Sequence, residues 1–403
     1  MAAALPDPGP IPVYHLSSQY RNWRYSEDEL AQIRTTLNRH AVERVRKLWE
    51  EEQAQRHQQE PPPAQPLTST STPTPTATAT PPSPPPPSEI QYLTVADEQA
   101  LVTYYLTQVA AMCGAFKYPE IVTATAMTYL KRFYLRNTCM DYHPKNIMLT
   151  CVFLATKTEN CSTSIDQFAA RIPNSEPADI LSLEFLVSQS LHFEYKVHHA
   201  HVAVNGLVLD MQSSGVDLSA LSAALPKAQS YCRASRLTSA ELVYTPAQIA
   251  LACFRLADPT LVEQWLEAKE GKRGQSRVPT RKPSSPDGEG GDAPPPPKQD
   301  GAAGGDDAVA SATEELEQNE LRGVLDQVQS MIEEGQKNPA EKARVKEVDL
   351  RLRWARNPEK DPNSALFKKR KAAEEALREE KDRAKAAKRP VGGEGGDDSS
   401  VFD

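Results

Sequence analysis

Three histidines within four positions, His198, His199 and His201, are the nearest approach in this chain to a metal-ligand cluster, because closely spaced imidazoles can share a zinc ion. No acidic or cysteine cluster accompanies them, so they read as the opening of a helix. Cys113, Cys139, Cys151, Cys161, Cys232 and Cys253 form no Cys-x-x-Cys pair. Most of them lie in apolar runs where a thiol packs as a small hydrophobe, the pattern expected in a reducing compartment. Gly271-Lys-Arg-Gly274 lacks the spacing of a phosphate-binding loop, and no His-Glu-x-x-His or nucleophile–base set is present. The chain is therefore expected not to be an enzyme, and to need neither metal nor cofactor.

If the residues do no bond chemistry, the elements that carry them matter more, and those elements are repeated. Tyr142, Pro144, Ile147, Leu149, Cys151, Leu154 and Ala155 return as Tyr244, Pro246, Ile249, Leu251, Cys253, Leu256 and Ala257, at one offset (246 − 144 = 102). The same offset carries Ala126 onto Ala228, Tyr129 onto Tyr231 and Leu135 onto Leu237. One register held across two helices implies two copies of one domain. In each copy a polar residue, His143 or Thr245, precedes a proline, which suits the first position of a helix. The helix from Asn146 is apolar nearly all round, as a helix enclosed by others must be. Four neighbours around it make a five-helix unit.

The surroundings of these units differ in composition. Of 403 residues only 39% are hydrophobic, and the 34 prolines are crowded into a few segments. Burial is thus concentrated between about residues 94 and 265. Residues 1–57 form an N-terminal segment with an amphipathic helix. Its start is marked by the capping box Ser26 to Glu29 and a staple between Tyr25 and Leu30, and Leu30, Ile33, Leu37, Ala41, Val45, Leu48 and Trp49 form its apolar stripe. Residues 58–89 are a Pro/Thr-rich linker, expected to be disordered, in which Thr72, Thr74, Thr80 and Ser83 each precede proline. The first unit spans 90–196. The second spans 197–335, with a disordered insertion at 269–310 and a late helix at 311–335, capped at Ser311 and stopped by Gly335. A charged tail, 336–403, is expected to be mostly solvated. Its Lys368-Lys-Arg-Lys371 run suits nuclear import or nucleic-acid contact as readily as an exposed helix. Net charge of −8 argues against whole-surface binding to nucleic acid or anionic membrane. The N-terminus carries no basic-then-apolar leader, and no run long enough to span a membrane occurs.

Two consecutive five-helix units with a helix before and after resemble the cyclin family. Thr125-Ala-Met-Thr-Tyr-Leu-Lys-Arg-Phe-Tyr-Leu135, Met140-Asp-Tyr-His-Pro144, Leu149–Lys157 and Leu242-Val-Tyr-Thr-Pro-Ala-Gln-Ile-Ala-Leu251 are similar to its two boxes. The resemblance implies an all-α fold of two tandem five-helix cyclin boxes, flanked by N- and C-terminal helices that dock on the core and joined by disordered linkers. It also implies that Lys157 and Glu184 are the charged pair presented to a cyclin-dependent kinase catalytic subunit. Read without it, both would be ordinary helix-surface charges.

The opening Tyr14–Trp23 segment is similar to the branch of the family that serves the CDK-activating kinase. That branch implies a RING-finger assembly subunit, general transcription factor IIH, phosphorylation of the RNA polymerase II C-terminal domain, and the nucleus. No membrane and no direct nucleic-acid contact are expected. Two departures stand out: Lys131 precedes Arg132 where many cyclins carry aspartate, and Glu98–Tyr105 lacks the Met-Arg-x-x-x-Leu substrate-docking pattern. The alternatives are another transcriptional cyclin, or a DNA-binding protein resembling transcription factor IIB. The latter is disfavoured because the first 110 residues hold no cysteine for a zinc ribbon.

Overall fold

The computed structural model describes residues 12–59, 86, 88–276, 304–337 and 342–387, and every regular element among them is helical. A 3-10 turn, Val13–Leu16, and α1 (Ser18–Asn22) lead into α2 (Glu27–Gln59). The capping box forms as its sequence implies: Glu29 N donates to Ser26 Oγ at 3.1 Å while Ser26 N donates to Glu29 Oε2 at 2.7 Å. Leu30 is buried with Tyr25 packed on the same cluster, which completes the staple.

The first box comprises α3 (Val95–Ala115), α4 (Glu120–Phe133), α5 (Pro144–Thr158), α6 (Ile165–Ala169) and α7 (Pro177–Ser190). Every residue from Ile147 to Thr156 of α5 is buried, so α5 is the enclosed helix. The second box repeats the plan with α8 (Ala200–Ser214), α9 (Leu218–Ser235), the single turn α10 (Ala240–Val243), α11 (Pro246–Ala257), α12 (Pro259–Ser276) and α13 (Gly304–Lys337). Pro144 and Pro246 both sit in the first turn of their helices, where the missing N–H loses no bond. Helix α13 contributes Leu325, Val328 and Ile332 to the second core, completing that box late in the chain.

The bounds of α13 correct the sequence reading. The helix begins at Gly304, ahead of the cap expected at Ser311, and runs through Gly335 to Lys337. Gly335 is a point of close approach: a Cβ there would lie 2.8 Å from Thr238 Cγ2, so a larger residue would have to displace that methyl for α13 to settle against the loop. The four Thr/Ser-Pro sites, most of the 58–89 linker and the centre of the 269–310 insertion lie outside the described residues.

A larger correction concerns the tail. It was expected to be mostly solvated, yet α14 (Lys342–Ala355) buries Val345, Val348, Leu352 and Ala355. They meet Ala41, Val45 and Trp49 of α2, Leu101 of α3, and Cys139 and Met140 in one cluster. Trp49 Nε1 donates to the Arg356 carbonyl at 3.1 Å. Beyond a 3-10 turn at Pro358–Lys360 comes α15 (Ala365–Ala387), and its first N–H groups are capped from α2. The buried Glu52 carboxylate accepts from Ala365 N at 3.0 Å and Leu366 N at 2.9 Å, satisfying donors that a helix start otherwise leaves open. The helix that pairs with the N-terminal helix beside the first box is thus α14, while the late helix α13 belongs wholly to the second box. The high density of charge hid α14, because its core face holds only four apolar side chains.

Candidate functional site

Lys157 lies in the last turn of α5, where a cation suits the negative end of the helix dipole. Glu184 lies on α7, and the structure brings the two together as an ion pair. Lys157 Nζ also stands 4.8 Å from the centroid of the Phe153 ring beneath it, a cation–π contact that holds the ammonium over the buried helix. Both carboxylate and ammonium remain reachable from solvent, with side-chain exposures of 26% and 37%.

The pair stands beside apolar side chains that the sequence reading did not single out. Helix α7 turns Ile180 and Val187 into the core, with Leu183 and Leu186 partly buried beside them. Its other side presents Leu181, 44% exposed, and Phe185, 69% exposed. Phe193, 54% exposed, follows the helix, with its ring centroid 6.1 Å from that of Phe185. The backbone is turned sharply to put it there: His192 and Phe193 both have positive φ, 54° and 58°, and Phe193 N donates to Ser188 O at 2.9 Å. A signal for this patch existed in the sequence. Leu181 and Phe185 are spaced i, i+4 off the core stripe of Ile180, Leu183 and Val187, so α7 has a second apolar stripe, which none of the described residues covers.

The junction between the boxes is built from the residues that depart from the common family pattern. Lys131, buried on α4, donates from Nζ to the carbonyls of Arg236 at 2.7 Å and Thr238 at 3.0 Å, and pairs with Glu241 at 2.9 Å. Burial lowers its pKa and Glu241 opposes that shift. The N-terminal segment straps the same junction. Gln19 exchanges hydrogen bonds with the backbone of His198, Trp23 Nε1 donates to Glu194 Oε2 at 2.6 Å, and Tyr25 N donates to the Leu242 carbonyl at 2.8 Å. Arg132 lies 4.7 Å over the Trp23 ring.

The three histidines belong to this junction too. His199 is buried with Nε2 at 2.8 Å from Thr125 Oγ1, and burial holds its pKa well below the usual imidazole value. Among the described residues no group of three or more His, Cys, Asp or Glu is placed to hold a metal ion. All six cysteines are free, and Cys161 alone is not fully buried.

The surface where Met-Arg-x-x-x-Leu cyclins dock substrates is partly covered by the chain itself. Asp97 accepts from Arg351 at 3.0 Å and Arg344 at 3.5 Å, while Leu101 packs under α14. Next to it a cavity of about 130 Å³ remains, lined by Arg34, Glu98, Val102, Lys131 and Ser239 among others. Burial pushes the Glu98 carboxyl up to about 7, although Asn38 and the Cys139 amide donate to it.

Comparison with known proteins agrees with this geometry. The cyclin N-terminal domain matches residues 87–196 and the cyclin C-terminal domain matches residues 199–333. The chain belongs to the cyclin family. Members of this family regulate a kinase and are not themselves catalysts. This cyclin is 31% identical over 272 residues to Cyclin CCL1 of Saccharomyces cerevisiae, a match covering 66% of this chain and 64% of that protein. It is 35% identical over 172 residues to Cyclin-H of Xenopus laevis, covering 41% of this chain and 53% of that one. The matched stretches therefore span about half to two thirds of these relatives' own lengths. In fold, the cyclin is similar to a chain of the CAK complex of Chaetomium thermophilum, with a TM-score of 0.61 at 22% identity, covering 95% of this chain and 98% of that one. No described helix is long and apolar enough to cross a membrane.

Proposed function

We propose that this cyclin binds a cyclin-dependent kinase through the face formed by α5, α7 and Phe193, and activates it by holding the kinase's regulatory helix inward. A protein kinase is competent only when a strand lysine pairs with a glutamate on that helix, so a partner that fixes the helix supplies activity without doing chemistry. The observation that carries the reading is the Lys157–Glu184 pair standing beside exposed Leu181, Phe185 and Phe193. Energies assign the parts. A solvent-exposed ion pair adds only about 0–1 kcal/mol to stability, so folding alone gives little reason for it. Burying one Phe or Leu side chain against a partner contributes roughly 1.5–3 kcal/mol. The apolar side chains drive association, and the charges set register and exclude wrong partners.

The same reading assigns this activity to transcription, in the CDK-activating kinase module of general transcription factor IIH, and the likeness to Cyclin CCL1 and Cyclin-H supports it. There the complex acts in the nucleus with a RING-finger assembly subunit and phosphorylates the RNA polymerase II C-terminal domain. The test is reconstitution of the full chain with its kinase. Lys157→Glu, Glu184→Lys and Phe185→Ser, each alone, are expected to weaken kinase binding and cut polymerase-peptide phosphorylation about 100-fold, as loss of a desolvated charged or apolar anchor does. Single reversals are sharper than the double exchange, which would restore an ion pair inside the chain. Undiminished activation in all three variants would remove this face from the kinase interface.

A further inference from the structure

Helix α14 has a second side that its docking does not explain. At about 100° per residue, Leu350 falls opposite the buried Val345, Val348 and Leu352, with Lys346, Arg353 and Lys342 along one flank of it and Trp354 on the other. Leu350 is 70% exposed, and Lys342, Lys346 and Arg353 are exposed around it. Of the acidic residues of the helix, Asp349 is engaged by His143 Nε2 at 2.7 Å, while Glu347, 71% exposed, stands on the side of Leu350 away from Lys346 and Arg353 with an i,i+4 contact of 3.8 Å to Arg351. Among the described residues, Lys346 and Arg353 have no carboxylate partner, and the Arg353 guanidinium rests 5.2 Å from the Trp354 ring centroid. The setting is strongly cationic. Residues 342–371 hold eleven Lys and Arg against four Asp and Glu, in a chain whose net charge is −8.

We propose that this face of α14 docks an acidic segment of a partner protein, one in which carboxylates flank a bulky apolar side chain. The charges select the sign of the partner. Lys346 lies four residues before Leu350 and Arg353 three after it, so the two cations bracket one apolar contact on adjacent turns. A nucleic acid fits less well: a phosphate backbone gains nothing from a leucine at the centre of the face, and the basic side chains would be better placed without it. A second copy of the chain is disfavoured because the same cationic patch would meet itself across a two-fold axis. The inference goes beyond the kinase reading and uses none of its residues.

The experiment is fluorescence anisotropy on the full chain, with a labelled peptide in which Asp and Glu flank a central Leu-Phe pair. Parallel titrations use the same peptide with Ser-Ser at its centre, an oligoglutamate, and a single-stranded oligonucleotide. Saturable binding of the first peptide is expected. Leu350→Ala, or the Ser-Ser centre, should weaken it about tenfold, and Lys346→Glu with Arg353→Glu should abolish it. All three side chains are exposed, so helicity by circular dichroism and the thermal midpoint should not move, and activation of the kinase by the same variants should be unchanged. Absence of saturable binding would overturn the proposal. So would equal binding of oligoglutamate or oligonucleotide with no dependence on Leu350, which would leave a surface for polyanions only.

Discussion

The two boxes share a centre and differ at its rim. Helices α5 and α11 begin at matched prolines, bury matched Ile, Leu and Cys residues, and are enclosed by equivalent neighbours. In the first box the link from the central helix to the last one is Lys157–Glu184, next to exposed Leu181, Phe185 and Phe193. In the second, Arg255 of α11 pairs with Asp326 of α13 at 2.8 Å, and Arg322 of α13 with Glu263 of α12 at 3.1 Å. No exposed large hydrophobic side chain lies on α11 or on the described part of α13. Where Lys157 stands in the last turn of α5, the same offset puts Pro259 in the second copy, and the carboxylate of the preceding Asp258 accepts from Leu261 N at 3.1 Å at the start of α12. Duplication preserves what packing requires and changes the rim: the first box exposes its apolar side chains beside the ion pair that ends its central helix, whereas the second exposes Val202, Leu209 and Leu218 on α8 and α9.

The sharpest way to break this contrast is to reverse the charge in each box. Lys157→Glu is expected to reduce kinase activation about 100-fold, whereas Arg255→Glu should change it less than about threefold, since only the first charge would be desolvated on binding. Equal losses, read by peptide phosphorylation in the reconstituted complex, would mean that the second box also faces the kinase.

A large effect on stability should come from the strap that joins the boxes. Trp23→Ala removes a fully buried ring and its bond to Glu194, and should lower unfolding free energy by about 3–5 kcal/mol, measured by denaturant titration. Deletion of residues 1–57 should lower kinase activity as well, because Arg34, Trp23 and Gln19 reach the junction or the second box from the N-terminal side. Full activity of a purified truncated complex would separate the strap from the kinase-binding face.

A smaller effect belongs to the capping of α15, on the side of the first box away from any counterpart in the second. Burial raises the pKa of Glu52, but hydrogen bonds from the Ala365 and Leu366 amides and Arg56 outweigh it, and the net shift is downward. That stability is present above the ordinary carboxylate range and is lost as pH falls through the lowered value. Glu52→Ala should cost about 1–2 kcal/mol near neutral pH, as loss of a helix cap does, and the loss should shrink in acid.

The last expected change is a slope. Glu98 titrates near 7 in the folded chain, against an ordinary 4.5, so the folded state holds a proton that the unfolded chain releases between those values. Stability should therefore fall as pH rises across that window, and Glu98→Gln should flatten the fall. Identical pH dependence of the two proteins in urea denaturation would place Glu98 in water rather than at the cavity.

Much of the frame was legible in the residues. The capping box at Ser26 and the prolines at 144 and 246 depend on interactions within a few residues, which local pattern reports faithfully, and the unbroken apolar run of α5 marks it as the helix its neighbours must enclose. The pairing of Lys157 with Glu184 came from family likeness, since neither charge is distinctive by itself. Phe185 and Leu181 went unnoticed because a single-helix reading counts apolar residues without showing which of two stripes the core takes. Helix α14 was missed for the opposite reason: four apolar positions among many charges look solvated until α2 and α3 offer them a cluster. Gly335 reads as a helix stop in sequence, and only the proximity of Thr238 reveals a packing contact.

The sequence by itself determined that there are two copies of one helical unit, where most of their helices start, and which helix in each is enclosed. Those properties follow from short-range hydrogen bonding and from the period of apolar residues. Tertiary structure decided which surfaces remain open among the described residues: the α7 stripe exposed, the α3 surface covered by α14, Lys131 turned from a surface charge into the tie between boxes. Those outcomes depend on contacts more than a hundred residues apart, and an apolar stripe specifies that it must be covered without specifying by what.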